Sequence, residues 1–237
     1  MRIEEFRERI AGLDGLLEAE EDRLSRLLII RKTLGGTARE IEEPARIRLA
    51  DEPGALWRLL VFSDLVLARI QAEIAVTGSR SLFEAGGGTA DGMAALSWQQ
   101  RKDALLNVRY HHLANGTSTR LGESAELARS RYGGDLRRLA AEADEQPGRA
   151  AELLQQFPGI GPAGAAAFCR DAQAVWPFLR PALDERVLAG AARLNLPTDP
   201  DALATLVPTD RLARLADALV RVNLDKDLAA RVLDDAP

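Results

Sequence analysis

The run Leu154-x-x-Phe157-Pro158-Gly159-Ile160-Gly161-Pro162-Ala163-Gly164-Ala165 constrains this chain more than any other. Two glycines and two prolines fall between positions 158 and 162, and a helix does not continue through such a stretch. Helical sequence stands on both sides, so the run predicts two helices joined by a tight turn. Glycine at 159 and 161 lets the backbone take left-handed or crowded angles. It also leaves N–H groups uncovered at the start of the second helix, where they have no partner within the helix. A phosphate oxygen is a natural ligand for such groups. Ile160 can plug into the core and hold the turn, and the small residues Gly164 to Ala167 let the two helices pack closely. The same composition also suits an ordinary helix–helix connection, and a phosphate clamp reads no base sequence.

Helical periodicity continues through the rest of the chain. With Ile3 as position a, the a/d series from Met1 to Leu34 is Ile3, Phe6, Ile10, Leu13, Leu17, Glu20, Leu24, Leu27, Arg31 and Leu34, apolar except at Glu20 and Arg31. This predicts a long helix with a coiled-coil seam. It either folds back on its own domain or pairs with a second copy to make a homodimer through residues 1–34. A linker around Arg46 to Glu52 leads to Pro53, a first-turn residue. Helical segments are expected from Pro53 to Phe83, as two helices or one bent helix, from Thr89, which can cap it, to Leu96, and from a capping box at Ser97–Gln100. Others run from about Ser118 to Arg131, Asp135 to Ala143, Pro147 to Phe157, Ala163 to Ala174, Asp184 to Leu194, Thr209 to Val222 and Asp225 to Leu233. Asn107 to Gly116 reads as a loop. No segment alternates with a period of two, so the expected fold class is all-α. The expected organisation is a coiled-coil-like segment over 1–45 and a helical domain over 53–237.

Bulk composition narrows the function classes. Apolar residues make up 46% and charged residues 28%, ordinary for a globular protein. No apolar run approaches the roughly 20 residues needed to span a bilayer. The N-terminus is charged from its second residue, so no secretory leader is expected and cytoplasmic placement is the default. The net charge of −5 counts against a broad nucleic-acid surface, although a local basic patch can exist on an acidic protein. The single cysteine, Cys169, excludes an internal disulfide and a four-thiolate site, and reads as a small buried hydrophobe. His111 and His112 are adjacent and lack a second ligand pair, so no metal and no cofactor are expected.

Further motifs follow the turn in order. They are the small-residue helix Ala165 to Phe168, then Val175-Trp176-Pro177, then Leu183-Asp184-Glu185-Arg186-Val187-Leu188. From Leu154 through Leu194 this resembles the core of the helix-hairpin-helix DNA glycosylase superfamily, typified by endonuclease III. That core has an L-P-G-apolar-G hairpin, a small-residue helix, a Trp-Pro loop and an aspartate opening the next helix. Upstream, Leu65-Val66-Leu67-Ala68-Arg69 is similar to the family's L-L-S-A-Q segment. Thr89 to Leu96 and Tyr132-Gly133-Gly134-Asp135 fall where similar segments lie. The similarity covers roughly Pro53 to Val222.

The resemblance implies a two-lobed helical bundle preceded by the long N-terminal helix, with duplex DNA as the partner. It implies DNA contacts from Pro158, Gly159, Ile160, Gly161, Ala163 and Gly164. Arg69 would enter the gap left by a flipped base, and Tyr110 would stack as a wedge. A surface reading stands beside each of those two residues. Asp184 matches the family's catalytic aspartate. A carboxylate there can stabilise positive charge developing on a deoxyribose and help deprotonate an attacking water. It is also an ordinary helix cap, and both roles can hold. Bifunctional members carry a lysine just after the hairpin where this chain has Ala163, so no efficient β-lyase activity is expected; cluster-bearing members carry four cysteines after the last helix, which this chain lacks, so no iron–sulfur cluster is expected. The implied function is a monofunctional glycosylase, with a catalytically inactive DNA-binding protein as the competing reading. Asp64 interrupts the apolar stretch Leu59 to Leu67. It is read as lining a pocket, as a buried hydrogen-bonded carboxylate, or as exposed.

Overall fold

The computed structural model describes residues 10–11, 49–66, 72–108 and 113–234. Arg69, Tyr110, His111, His112 and all of the heptad segment except Ile10 and Ala11 lie outside them. Every regular element among the described residues is helical. The chain divides into two compact units, Ile47–Ala182 and Leu183–Pro237 with Met1–Arg46.

The larger unit contains α1 (Pro53–Val66), α2 (Ala72–Leu82), α3 (Ala90–Ala95), α4 (Trp98–Leu106), α5 (Ala114–Tyr132), α6 (Arg137–Glu142), α7 (Pro147–Leu154) and α8 (Pro162–Ala172). Capping chemistry sets several boundaries. Thr89 accepts from the Gly92 amide at the head of α3. Ser97 and Gln100 form the reciprocal capping box expected for α4. The stretch from Pro53 to Phe83, expected as two helices or one bent helix, holds the two helices α1 and α2. α2 ends at Leu82, and a π-type turn spans Phe83–Gly87, whose Gly87 carbonyl accepts from the buried Trp57 indole at 3.0 Å.

The sequence also placed the start of α5 near Ser118, whereas the helix begins at Ala114. Its buried stripe opens with Ala114, Thr117, Ser118 and Leu121, and the small polar members conceal the apolar period. In this first turn the Ser118 hydroxyl donates to the Ala114 carbonyl at 2.6 Å. One arginine braces three elements: Arg101 of α4 donates to the carbonyls of Ser118 (2.8 Å), Met93 (3.1 Å) and Leu96. Its burial holds its pKa below the ordinary arginine value. The core runs from Leu56, Trp57, Leu60 and Leu65 of α1 through Leu153, Leu154, Phe157 and Ile160 to Phe168 and Trp176.

The smaller unit contains α9 (Glu185–Arg193), α10 (Pro200–Ala204), α11 (Leu212–Leu224) and α12 (Lys226–Asp234). Val187, Gly190, Ala191 and Leu194 recur at helical spacing and are all buried. Leu215, Ala216, Leu219 and Val222 of α11 complete this core, which Ile10 also joins. A helix was expected to run from Thr209 to Val222. Thr209 instead opens a 3-10 turn, Thr209–Arg211, in which the Arg211 amide donates to the Pro208 carbonyl at 2.9 Å before α11 begins.

Candidate nucleic-acid interface

The predicted turn joins α7 to α8. Phe157 and Ile160 are buried on either side of Pro158 and Gly159, and the Ile160 amide donates to the Phe157 carbonyl at 3.0 Å. Phe157 stacks on Tyr132 with ring centroids 6.1 Å apart, anchoring the turn to the end of α5. Gly159 has φ +90°, a conformation that disfavours any side chain. Gly161 is the extended N-cap of α8 and supplies no side-chain cap, and Pro162 occupies the first helical position. Among the described residues, the amides of Gly159, Gly161 and Ala163 make no hydrogen bond to protein. These three residues are exposed, whereas Ile160 and Gly164 are buried. Gly159, Gly161 and Ala163 therefore form the accessible edge, and Ile160 and Gly164 support it from within.

A charged pair lies against the turn that the sequence did not reveal. Asp64 of α1, only 5% exposed, faces Arg120 of α5. Arg120 Nη2 donates to Asp64 Oδ1 at 3.2 Å and Oδ2 at 3.3 Å, and to Thr117 Oγ1 at 3.1 Å. Both side chains press on Gly159. A methyl group placed on its Cα would overlap Asp64 Oδ1 and come within 2.6 Å of Arg120 Nε. Gly159 is thus required twice, by its backbone angle and by these neighbours. Ser124 of α5 adds a hydrogen bond from its hydroxyl to the Pro158 carbonyl at 3.3 Å.

Burial raises the Asp64 pKa above the ordinary carboxylate value, and the nearby Arg120 charge and hydrogen bond offset this only in part. The folded state therefore binds this proton more tightly than the unfolded chain. The contribution to stability is full below the unfolded pKa and is lost as pH rises through the folded one. Removing the cation enlarges that loss. Arg120→Met is expected to lower stability by about 2 kcal/mol at pH 7, because the carboxylate is left buried without its partner. The deficit relative to wild type should shrink toward pH 4. Urea denaturation at both pH values checks this, and a deficit independent of pH would refute the charge-based explanation.

Downstream, the Trp-Pro segment is tied into the larger unit. The Trp176 indole donates to Asp51 Oδ1 at 3.1 Å and packs on Phe168 and Phe178. Gln173, fully buried, holds the chain that leads toward Asp184. Its Oε1 accepts from the Ala182 amide at 3.1 Å, and its Nε2 donates to the carbonyls of Ala182 (3.1 Å) and Arg170 (2.7 Å). Sequence reasoning did not single out Gln173, because a glutamine near a helix end carries no local signal of such pairing. Gln173→Leu is expected to cost about 2 kcal/mol by leaving these backbone groups unpaired. A wild-type melting temperature would contradict that expectation.

Asp184 is the N-cap of α9 in the smaller unit. Its Oδ1 accepts from the amides of Arg186 (3.1 Å) and Val187 (3.0 Å), and the side chain is half-buried. The capping role expected from the sequence is therefore present. Cys169 is buried, which pushes its thiol pKa up to about 12, as befits an inert hydrophobe. Among the described residues, no group of three or more histidine, cysteine or carboxylate side chains is arranged to hold a metal, and no helix is long and apolar enough to cross a membrane.

No protein-family model and no curated protein matches this chain. Among the solved structures similar to it, two align over 87% of this chain. One is a trapped endonuclease III–DNA covalent intermediate in an estranged-adenine complex, 14% identical, TM-score 0.46, with 84% of that chain covered. The other is a non-covalent endonuclease III–DNA complex, 13% identical, TM-score 0.47, with 83% covered. At this level of similarity, no residue role passes from them to this protein.

Proposed function

We propose that this protein binds duplex DNA through the α7–α8 hairpin and acts as a monofunctional DNA glycosylase. The observation that carries the reading is the exposed edge of unpartnered amides at Gly159, Gly161 and Ala163 at the head of α8. Amides so placed suit a backbone phosphate, and the helix dipole adds to the attraction. The ordered motifs from Leu154 to Leu194 supply the rest, since they resemble the helix-hairpin-helix glycosylases. Asp184 is assigned the role of stabilising the sugar cation after the target base has left the stack, and of assisting the attack of water. Ala163 cannot form a Schiff base, so strand cleavage by β-elimination is not part of the reading. Arg69 and Tyr110 remain proposed DNA contacts from the resemblance.

The test is a panel of duplexes, each with a single damaged or mispaired base, assayed for abasic sites and for strand breaks. The expected result is base release from at least one member without strand cleavage. Binding should weaken steeply with salt, as phosphate contacts require. Salt-dependent binding with no base loss from any duplex favours the catalytically inactive DNA-binding protein, a reading the net charge of −5 and the absence of the lysine also suit. Absence of salt-dependent binding ends both. Homodimerisation through the heptad segment over residues 1–34 is the other part of the reading, and sedimentation of a monomer would remove it.

A further inference from the structure

We propose that Arg120 is a further contact to the duplex backbone beside the hairpin, and that Asp64 is the residue that positions it. The inference rests on the DNA-binding reading above and deepens it. The three nitrogens of the Arg120 guanidinium differ in their surroundings. Nη2 is saturated by both oxygens of Asp64 and by Thr117. Nε is turned toward Gly159, is buried, and has no protein partner, so it is not a donor that DNA can reach. Nη1 makes no hydrogen bond among the described residues and lies over the N-terminal part of α5. There the residue beneath is Gly116, where a methyl group would make ordinary contact with Nη1 at 3.5 Å. About a third of the Arg120 side chain is exposed, next to an exposed Gly159.

A purely structural role explains this pair poorly. A buried ion pair is often no better for stability than apolar side chains of similar volume, because desolvation offsets the attraction. Here the cost of burying Asp64 outweighs the pull of Arg120. What the pair does achieve is orientation. An arginine held through Nη2 keeps Nη1, the donor left uncommitted, in a fixed direction, which suits recognition of phosphate. With the Gly159 amide alongside, the cation and the turn would present donors to neighbouring oxygens of one backbone. Asp64 acts through Arg120 and touches no DNA.

Duplex binding measured across a salt series tests the proposal. Arg120→Gln is expected to weaken binding several-fold and to flatten the slope of log affinity against log salt by about 1, the signature of one lost phosphate contact. Arg120→Lys, which keeps the charge, should retain the wild-type slope. Because Arg120→Gln strands a buried carboxylate, the double variant Asp64→Asn/Arg120→Gln is measured beside it. That variant removes both charges together and should show the same loss of slope in a folded protein. A wild-type slope in both glutamine-bearing variants overturns the proposal while leaving the DNA-binding reading intact. Salt-independent binding by the wild-type protein overturns both.

Discussion

Asp184→Asn is expected to suppress base release by 100-fold or more while leaving duplex affinity and melting temperature nearly unchanged. The separation follows from what the side chain does in the structure. Oδ1 caps α9 by accepting from Arg186 and Val187, and asparagine caps helices about as well as aspartate. The substitution therefore preserves the cap and removes the carboxylate charge. Loss of one preorganised group that stabilises a transition state costs on the order of 10²- to 10³-fold in rate. Single-turnover release of the base from whichever duplex is active in the lesion panel reads the effect, with thermal melting as the control. Asp184→Ala sharpens the comparison, since it should also lose about 1 kcal/mol of stability with the cap. A wild-type rate from the asparagine variant would reduce Asp184 to a capping residue.

Gly190→Val is expected to be the most destabilising single change in the smaller unit, lowering stability by about 3 kcal/mol or more. Among the described helices, α9 and α11 make the most extensive contact, and Gly190 lies directly against the backbone of Leu219. A Cβ built there would overlap the Leu219 carbonyl oxygen and lie 2.6 Å from its carbon and 3.1 Å from its Cα. These are backbone atoms of a helix, so no rotamer change relieves the clash. The helices must part, and the contacts of Val187, Ala191, Leu215 and Leu219 loosen with them. Overpacking of a well-filled core costs typically 1–3 kcal/mol and occasionally more. A branched side chain against immovable backbone belongs at the upper end of that range. A urea midpoint within error of wild type would show that the two helices tolerate separation.

Much of the fold was legible in the sequence because its signals are local. The Pro158–Pro162 turn, the Ser97–Gln100 box, the Thr89 cap and the Asp184 cap each depend on residues a few positions apart, and each appears in the structure. Where the reading went astray, local signals were absent or misleading. The beginning of α5 buries Ala114, Thr117 and Ser118, which carry too little apolar contrast to mark a helical face. The π-type turn after Leu82 depends on an indole thirty residues upstream, at Trp57. Three readings were left open for Asp64, since a carboxylate in an apolar helix does not declare its partner.

By itself, then, the sequence determined an all-helical chain, the glycine turn between two helices, the burial of Ile160 within it, and the aspartate at the head of a later helix. These follow from backbone sterics and short-range hydrogen bonding, which a few consecutive residues control. Only the tertiary structure decided that Asp64 and Arg120, 56 positions apart, meet against Gly159, and that Gln173 pins Ala182. Pairings of this kind depend on how helices pack around a shared core. Many sequences satisfy the same packing, so no local pattern records which polar groups it brings together.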